Sequence, residues 1–212
     1  GIYDDQLALK LRIVFQSVWS TTSDPYTYTN ASNLLSQFRS YWNSNRSGVG
    51  RDIAHLFTGK DLDGSTVGIA WVGVVCNNSS YAYGLSQNTS LMVKLVAHEI
   101  GHNFNARHDN EFNPPTATCS GAGPIMCSSL QGAGPSSFSS RSITDVKNHV
   151  SSNSSCAAPV SPSSARRTRT SGKRSNPWSR SSSTCSATSP CNRGSKTANR
   201  RRFRATTWTS TG

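Results

Sequence analysis

The chain has 212 residues, enough for one substantial domain with an appendage but not for two large domains. Its formal net charge of +12 invites a nucleic-acid reading. However, residues 1–160 carry ten Lys/Arg against ten Asp/Glu, while 161–212 carry twelve Lys/Arg and no acid, so the globular part is not a basic nucleic-acid binder.

Residues 7–19, "LALKLRIVFQSVW", hold the β-branched and aromatic run Leu11–Phe15, which reads as a buried strand. A polar loop follows. Ser32 then opens a helix to about Trp42, with Leu34, Leu35, Phe38 and Trp42 near helical spacing. A second strand is expected over 52–57 and a third over 67–75, "VGIAWVGVV", with a short fourth in "YAYGLSQ". Ser90 to about Asn103 is the clearest helix, and Ser142 with Asp145 reads as a capping box opening a last one. Strands interleaved with helices imply an α/β layer, with little regular structure between 104 and 140. After Cys156 the composition turns Ser/Thr/Arg-rich, without acids or an apolar period, and the tail reads as disordered.

No apolar run approaches 18 residues, so none is long enough to span a membrane. Gly1 is followed by no charged-then-apolar leader. Six widely spaced cysteines without a C-x-x-C pair favour disulfides in an oxidising compartment, and six N-x-S/T sequons are compatible with a secreted or extracellular protein. The four cysteines before residue 160 allow three pairings.

The decisive stretch is residues 98–109, "HEIGHNFNARHD". Four residues apart on a helix, His98 and His102 project from one face and can hold one ion. Glu99 lies about 100° around from His98, placed to reach a water on that ion rather than to ligate it. On a continued helix His108 would be about 15 Å along the axis from His98. It reaches the same ion only if the chain reverses, which requires a residue at positive φ. Asn105 stands at that position, and asparagine is the usual non-glycine occupant of the left-handed region, so φ > 0 is expected there. Three neutral imidazoles leave an ion with an open position, the arrangement of a catalytic zinc site. His55 and His149 read as core or surface histidines.

The pattern H-E-x-x-H-x-x-(G/N)-x-x-H-D resembles the metzincin clan of zinc endopeptidases, and with "HEIGHNF" it is most similar to the reprolysin (adamalysin) or ADAM-type family. "LRIVFQSVW", "LFTGKDLDGSTVGIAWVGVVC" and "CSGAGPIMC" extend the resemblance over about residues 1–156. It implies an α/β metzincin fold: a mixed, mostly parallel twisted sheet with an antiparallel edge strand, a long active-site helix, and an irregular lower subdomain with a Met-turn and a C-terminal helix. It implies a catalytic domain over 1–158, lacking one further strand and most of a helix before Gly1, followed by a basic tail over 159–212.

The same resemblance assigns roles. His98, His102 and His108 would ligate one zinc ion, with Glu99 as general base and Met126 as the floor beneath the metal. Asp109 would anchor the motif turn at Asn105. Gly68, Ile69, Ala70 and Trp71 would form the edge strand that pairs with an extended substrate, and residues 128–138 would wall the pocket. Cys76–Cys156 and Cys119–Cys127 would be the disulfides, leaving Cys185 and Cys191 unassigned. Asp52 falls where some members hold calcium, but another part of that site would precede Gly1, so the sequence gives calcium no support. The implied function is a secreted zinc endopeptidase acting on protein or peptide substrates. Two other readings stand beside it: a catalytically silent peptide-binding module of the same fold, and polyanion binding through 161–212. Oligomeric state, substrate and host are not encoded in any motif.

Overall fold

A computed structural model describes residues 1–21, 23–120, 123–130, 132, 137–159 and 200–210. Cys185, Cys191 and most of the basic tail lie outside the described residues. In chain order the elements are α1 (Ile2–Leu7), β1 (Leu9–Trp19), α2 (Ala31–Asn45), β2 (Ile53–Thr58), β3 (Gly68–Ala70), β4 (Tyr83–Gln87), α3 (Met92–Asn103), α4 (Ser140–Ser152), β5 (Ala158–Pro159) and β6 (Arg201–Ser210).

The sheet order is β1-β6-β2-β4-β3, with β5 pairing off β6. β1, β6, β2 and β4 run parallel, and β3 is the antiparallel edge beside β4. The fold is thus the α/β metzincin arrangement, with α3 as the helix that carries His98 and His102. Residues of β2 alternate between two cores. Ala54 and Leu56 face α2, whose Leu34, Phe38 and Trp42 pack with Tyr83 and Trp208. Ile53 faces α3, whose Ala97 and Ile100 pack with Phe104, Ile125, Met126 and Phe203. This alternation follows from the two-residue period of a strand covered on both faces.

Three local expectations are corrected. The cap of α2 is Asn30, whose side chain accepts from the Asn33 N–H at 3.1 Å, not Ser32. The cap of α4 is Ser139, accepting from the Ser142 N–H at 3.1 Å, so Ser142 lies inside the helix. The third strand is three residues long rather than nine. After Ala70 the chain turns away, with Gly73 at φ 69°, and its N–H donates to the His102 carbonyl at 2.9 Å.

The larger correction concerns residues 201–210, expected to be disordered. They form β6, a ten-residue strand inserted between β1 and β2. Among the described residues β6 is the only strand that pairs with β1. Phe203 enters the core beneath α3, and Trp208 enters the core beneath α2 with Trp42, Tyr26 and Tyr41 around its ring. Asp52 fixes the register: its carboxylate accepts from the Arg204 backbone N–H at 2.6 Å and from Nη2 at 2.9 Å. The ten residues escape a composition-based reading because Arg201, Arg202 and Arg204 offset the strand formers Phe203, Thr206, Thr207 and Trp208.

Burial of Trp208 gives a direct check. Trp208→Ala is expected to cost about 3–5 kcal/mol in chemical denaturation, as for large aromatic truncations in cores. An unchanged midpoint would mean that this segment is not in the sheet.

Candidate active site

Helix α3 presents His98 and His102 four residues apart, so both imidazoles leave the same face toward the cleft below β3. The helix ends at Asn103, and Asn105 adopts φ 72°, in the left-handed region the motif called for. The reversal is held by main-chain bonds from the Asn105 N–H to His102 O at 2.8 Å and from the Ala106 N–H to Gly101 O at 3.0 Å. His108 thereby returns to the helix face. Its Nε2 lies 3.2 Å from His98 Nε2 and 3.1 Å from His102 Nε2, and the latter two are 3.1 Å apart.

The outward nitrogens settle which tautomer each ring holds. His98 Nδ1 donates to Ile125 O at 2.7 Å, His102 Nδ1 to Ala106 O at 2.8 Å, and His108 Nδ1 to Glu111 Oε1 at 2.6 Å. In the neutral form of each ring, Nε2 then presents its lone pair to a common centre. Three lone pairs at that separation repel unless a cation stands among them. Tetrahedral ligands at zinc–nitrogen distances of about 2.0–2.1 Å sit roughly 3.3 Å apart, so the donor set fits zinc. Burial holds His98 down to about 3 and His102 down to about 4, so both are neutral at physiological pH, as ligation requires.

Glu99 is 3 % exposed and lines the cleft beside these rings. Its Oε2 is buried without a hydrogen-bond partner, and burial raises its carboxyl to about 8. The opposite wall is β3, and a Cβ on Gly68 would lie 2.5 Å from Glu99 Oε1, so any larger residue there would push the Glu99 side chain aside. The cleft encloses about 790 Å³ and also takes in Ile69, Ala70, Arg107, Ser128 and Leu130. Trp71 lies just beyond the strand, its N–H bonded to Tyr83 O at 3.3 Å. Of the expected wall, Ser128–Leu130 line the cleft, while Phe138 is in the core and residues 131 and 133–136 lie outside the described residues.

Met126 is fully buried beneath α3, where a Cβ on Gly101 would fall 2.6 Å from its Sδ. Asp109 joins three segments. Its N–H donates to Met126 O at 2.8 Å, and its Oδ1 accepts from Thr116 Oγ1 at 2.9 Å, Ser139 Oγ at 2.5 Å and Ser142 Oγ at 3.2 Å. Disulfides Cys119–Cys127 and Cys76–Cys156 close the Met126 segment and tie the end of α4 to the loop after β3. Asp52, considered for calcium, is instead taken up by Arg204. His55 and His149 are buried, bonded to Ser86 Oγ and Val75 O.

Two further residues carry the site. Glu111 fixes the third histidine, and a carboxylate three residues past it was a readable signal. Asn103 is fully buried. Its side-chain NH₂ donates to Trp71 O at 2.9 Å and Tyr83 O at 3.0 Å, while its main-chain carbonyl accepts from Val74 and Val75 N–H. No sequence pattern distinguishes it from a solvent-facing asparagine.

The comparisons with known proteins agree with this geometry. The model of metallopeptidase family M12B, reprolysin-like, matches residues 1–109, a span that includes all three histidines, Glu99 and Asp109. The zinc metalloproteinase-disintegrin-like atrase-A of Naja atra is 35 % identical over 101 residues, 47 % of this chain. The match spans only 16 % of that relative's length. A solved chaperone–substrate complex aligns at a TM-score of 0.45 and 14 % identity, over 61 % of this chain and 25 % of that one, too distant to bear on the fold.

Two outcomes are expected. Replacing Asn105 with Gly should be nearly neutral, whereas Asn105→Ala should cost about 1 kcal/mol or more, read by chemical denaturation. In the metal-free chain, His98 and His102 sit below their ordinary 6.5, so their contribution is complete above about 6.5 and lost as pH falls toward 3. Glu99 has the opposite sign: its contribution is complete below 4.5 and lost as pH rises through about 8. Glu99→Gln should therefore exceed the unsubstituted chain in metal-free stability above pH 8, and the two should converge below pH 4.5. Parallel stability–pH curves would contradict this assignment.

Proposed function

The chain belongs to the M12B reprolysin-like metallopeptidase family, and from that premise we propose that it is a secreted zinc endopeptidase acting on extended segments of protein substrates. The observation that carries this reading is the convergence of three histidine Nε2 atoms beside a buried, unpartnered carboxyl oxygen. Zinc, when bound, supplies Lewis-acid chemistry that acidifies water and polarises a carbonyl.

The chain's own groups would do the rest. The main chain of Gly68–Ala70 offers an edge to which a substrate strand can add, fixing the scissile bond below it. Glu99 takes the proton of the attacking water and returns it to the leaving amine. Its burial beside the three histidines places it in the cleft rather than in bulk solvent. His98, His102 and His108 hold the ion, and Ile125 O, Ala106 O and Glu111 hold the histidines. Met126 and Asp109 position the floor and the turn. The two disulfides favour an extracellular setting. The catalytic unit on this reading is residues 1–159 together with 201–210.

In a peptide-library assay, Glu99→Gln should retain one zinc per chain while losing at least about 10²-fold in hydrolysis, and a chelator should abolish the remainder. Cleavage that survives either treatment would sink the proposal. Zinc binding without cleavage of any library member would favour the silent peptide-binding module instead.

A further inference from the structure

At the end of the sheet order opposite to the cleft, β1 and β6 run parallel with Lys10 beside Arg202 and Arg12 beside Arg204. In-register neighbours on adjacent strands point to the same face, so four cations form a compact array. Like charges placed this way repel and destabilise the pairing. Two acids offset part of it. Asp4 reaches Lys10 at 3.8 Å and Arg200 at 2.8 Å, and Asp52 holds Arg204.

Arg12 and Arg202 have no acidic partner among the described residues. No other side chain can supply one. All ten Asp and Glu of the chain lie among the described residues, and 160–199 contain none. Both guanidinium-bearing residues line one cavity of about 470 Å³, with Arg204, Asp52, Val14 and residues 155–158 as its other walls. The 155–158 segment is fixed there by the Cys76–Cys156 disulfide and by pairing of Ala158 with Arg202. Three guanidinium groups against one carboxylate leave a formal +2 in this cavity.

We propose that the cavity binds a tetrahedral oxyanion, a sulfate or phosphate ester group, between Arg12 and Arg202. A doubly charged group with several acceptor oxygens matches two donor forks better than a single carboxylate does. The site exists only while β6 is seated beside β1, so the ligand also stabilises that seating by linkage. It moves anion binding from the basic tail as a whole to one arginine of β1 and one of β6, and it is independent of the protease reading.

The test is thermal unfolding of the full chain in low-millimolar sodium sulfate or inorganic phosphate, against sodium chloride at matched ionic strength. The midpoint should rise and saturate. Arg12→Ala and Arg202→Ala, exposed and unpaired, should fold, and each should weaken the apparent affinity about tenfold. The double variant should respond no more than to chloride, while Lys60→Ala, a remote loop charge, should keep the full response. O-phosphoserine and a sulfated disaccharide, titrated in parallel, identify the ester source by which binds tighter. An equal rise in the chain and its double variant would reduce the effect to general exclusion of sulfate from protein surfaces. That result, or no rise at all, overturns the proposal.

Discussion

Three imidazole nitrogens held within 3.2 Å of one another are the constraint on which the rest of the active-site half depends. Lone pairs so placed repel, so the surrounding structure must hold them together whenever no cation is there. Each ring is therefore pinned at its far nitrogen by an acceptor from a different segment: Ile125 before Met126, Ala106 in the turn, and Glu111 beyond it. Those acceptors are positioned in turn by Asp109, which joins the His108 turn to Met126 and to the start of α4. Removing a carboxylate bonded this way would strand several buried donors, so its role is organisational even though it lies outside the cleft.

The other half of the molecule depends on β6. β1 is amphipathic in composition but, within the described residues, has no strand beside it except β6. α2 closes its core only over a sheet that contains Trp208. The catalytic helix leans on the same strand through the contact of Phe104 with Phe203, whose ring centroids are 4.9 Å apart. A segment distant in sequence thus supports Phe104, the residue that caps the end of α3, coupling the completeness of the sheet to the geometry of the three-histidine cluster.

What was legible in the sequence was local. The histidine motif spans twelve residues and its requirements are those of one helix and one reversal, so spacing and the φ preference of asparagine sufficed to place Asn105. The strands β1, β2 and β4 were readable from apolar and β-branched runs. β6 was not, because pairing across about 150 residues leaves no local trace, and its buried Thr206 and Ser210 look like surface residues. Thr206 tolerates burial by donating to Ile53 O at 3.3 Å, a partner that only the folded sheet provides. The caps were misplaced by two or three residues for a related reason: Asn30 and Ser32, or Ser139 and Ser142, are equivalent as hydroxyl or amide acceptors until the helix start is fixed.

The substrate edge and the metal helix are also one mechanical unit. Gly68 touches Glu99 so closely that a methyl group would force them apart, and Gly73 donates to the carbonyl of His102. Between these two contacts Asn103 bridges the carbonyls of Trp71 and Tyr83, holding apart the ends of β3 and β4 while its own main-chain carbonyl accepts from the loop that follows. A peptide strand added to β3 would therefore bear on the same helix that carries Glu99, His98 and His102. On the proposed reading, displacing that strand would move Glu99 relative to the scissile bond, and misplacement of about 1 Å can cost about 10²-fold in rate. Asn103 opposes such a displacement, because its buried amide donates to the main chain of both strand ends at once.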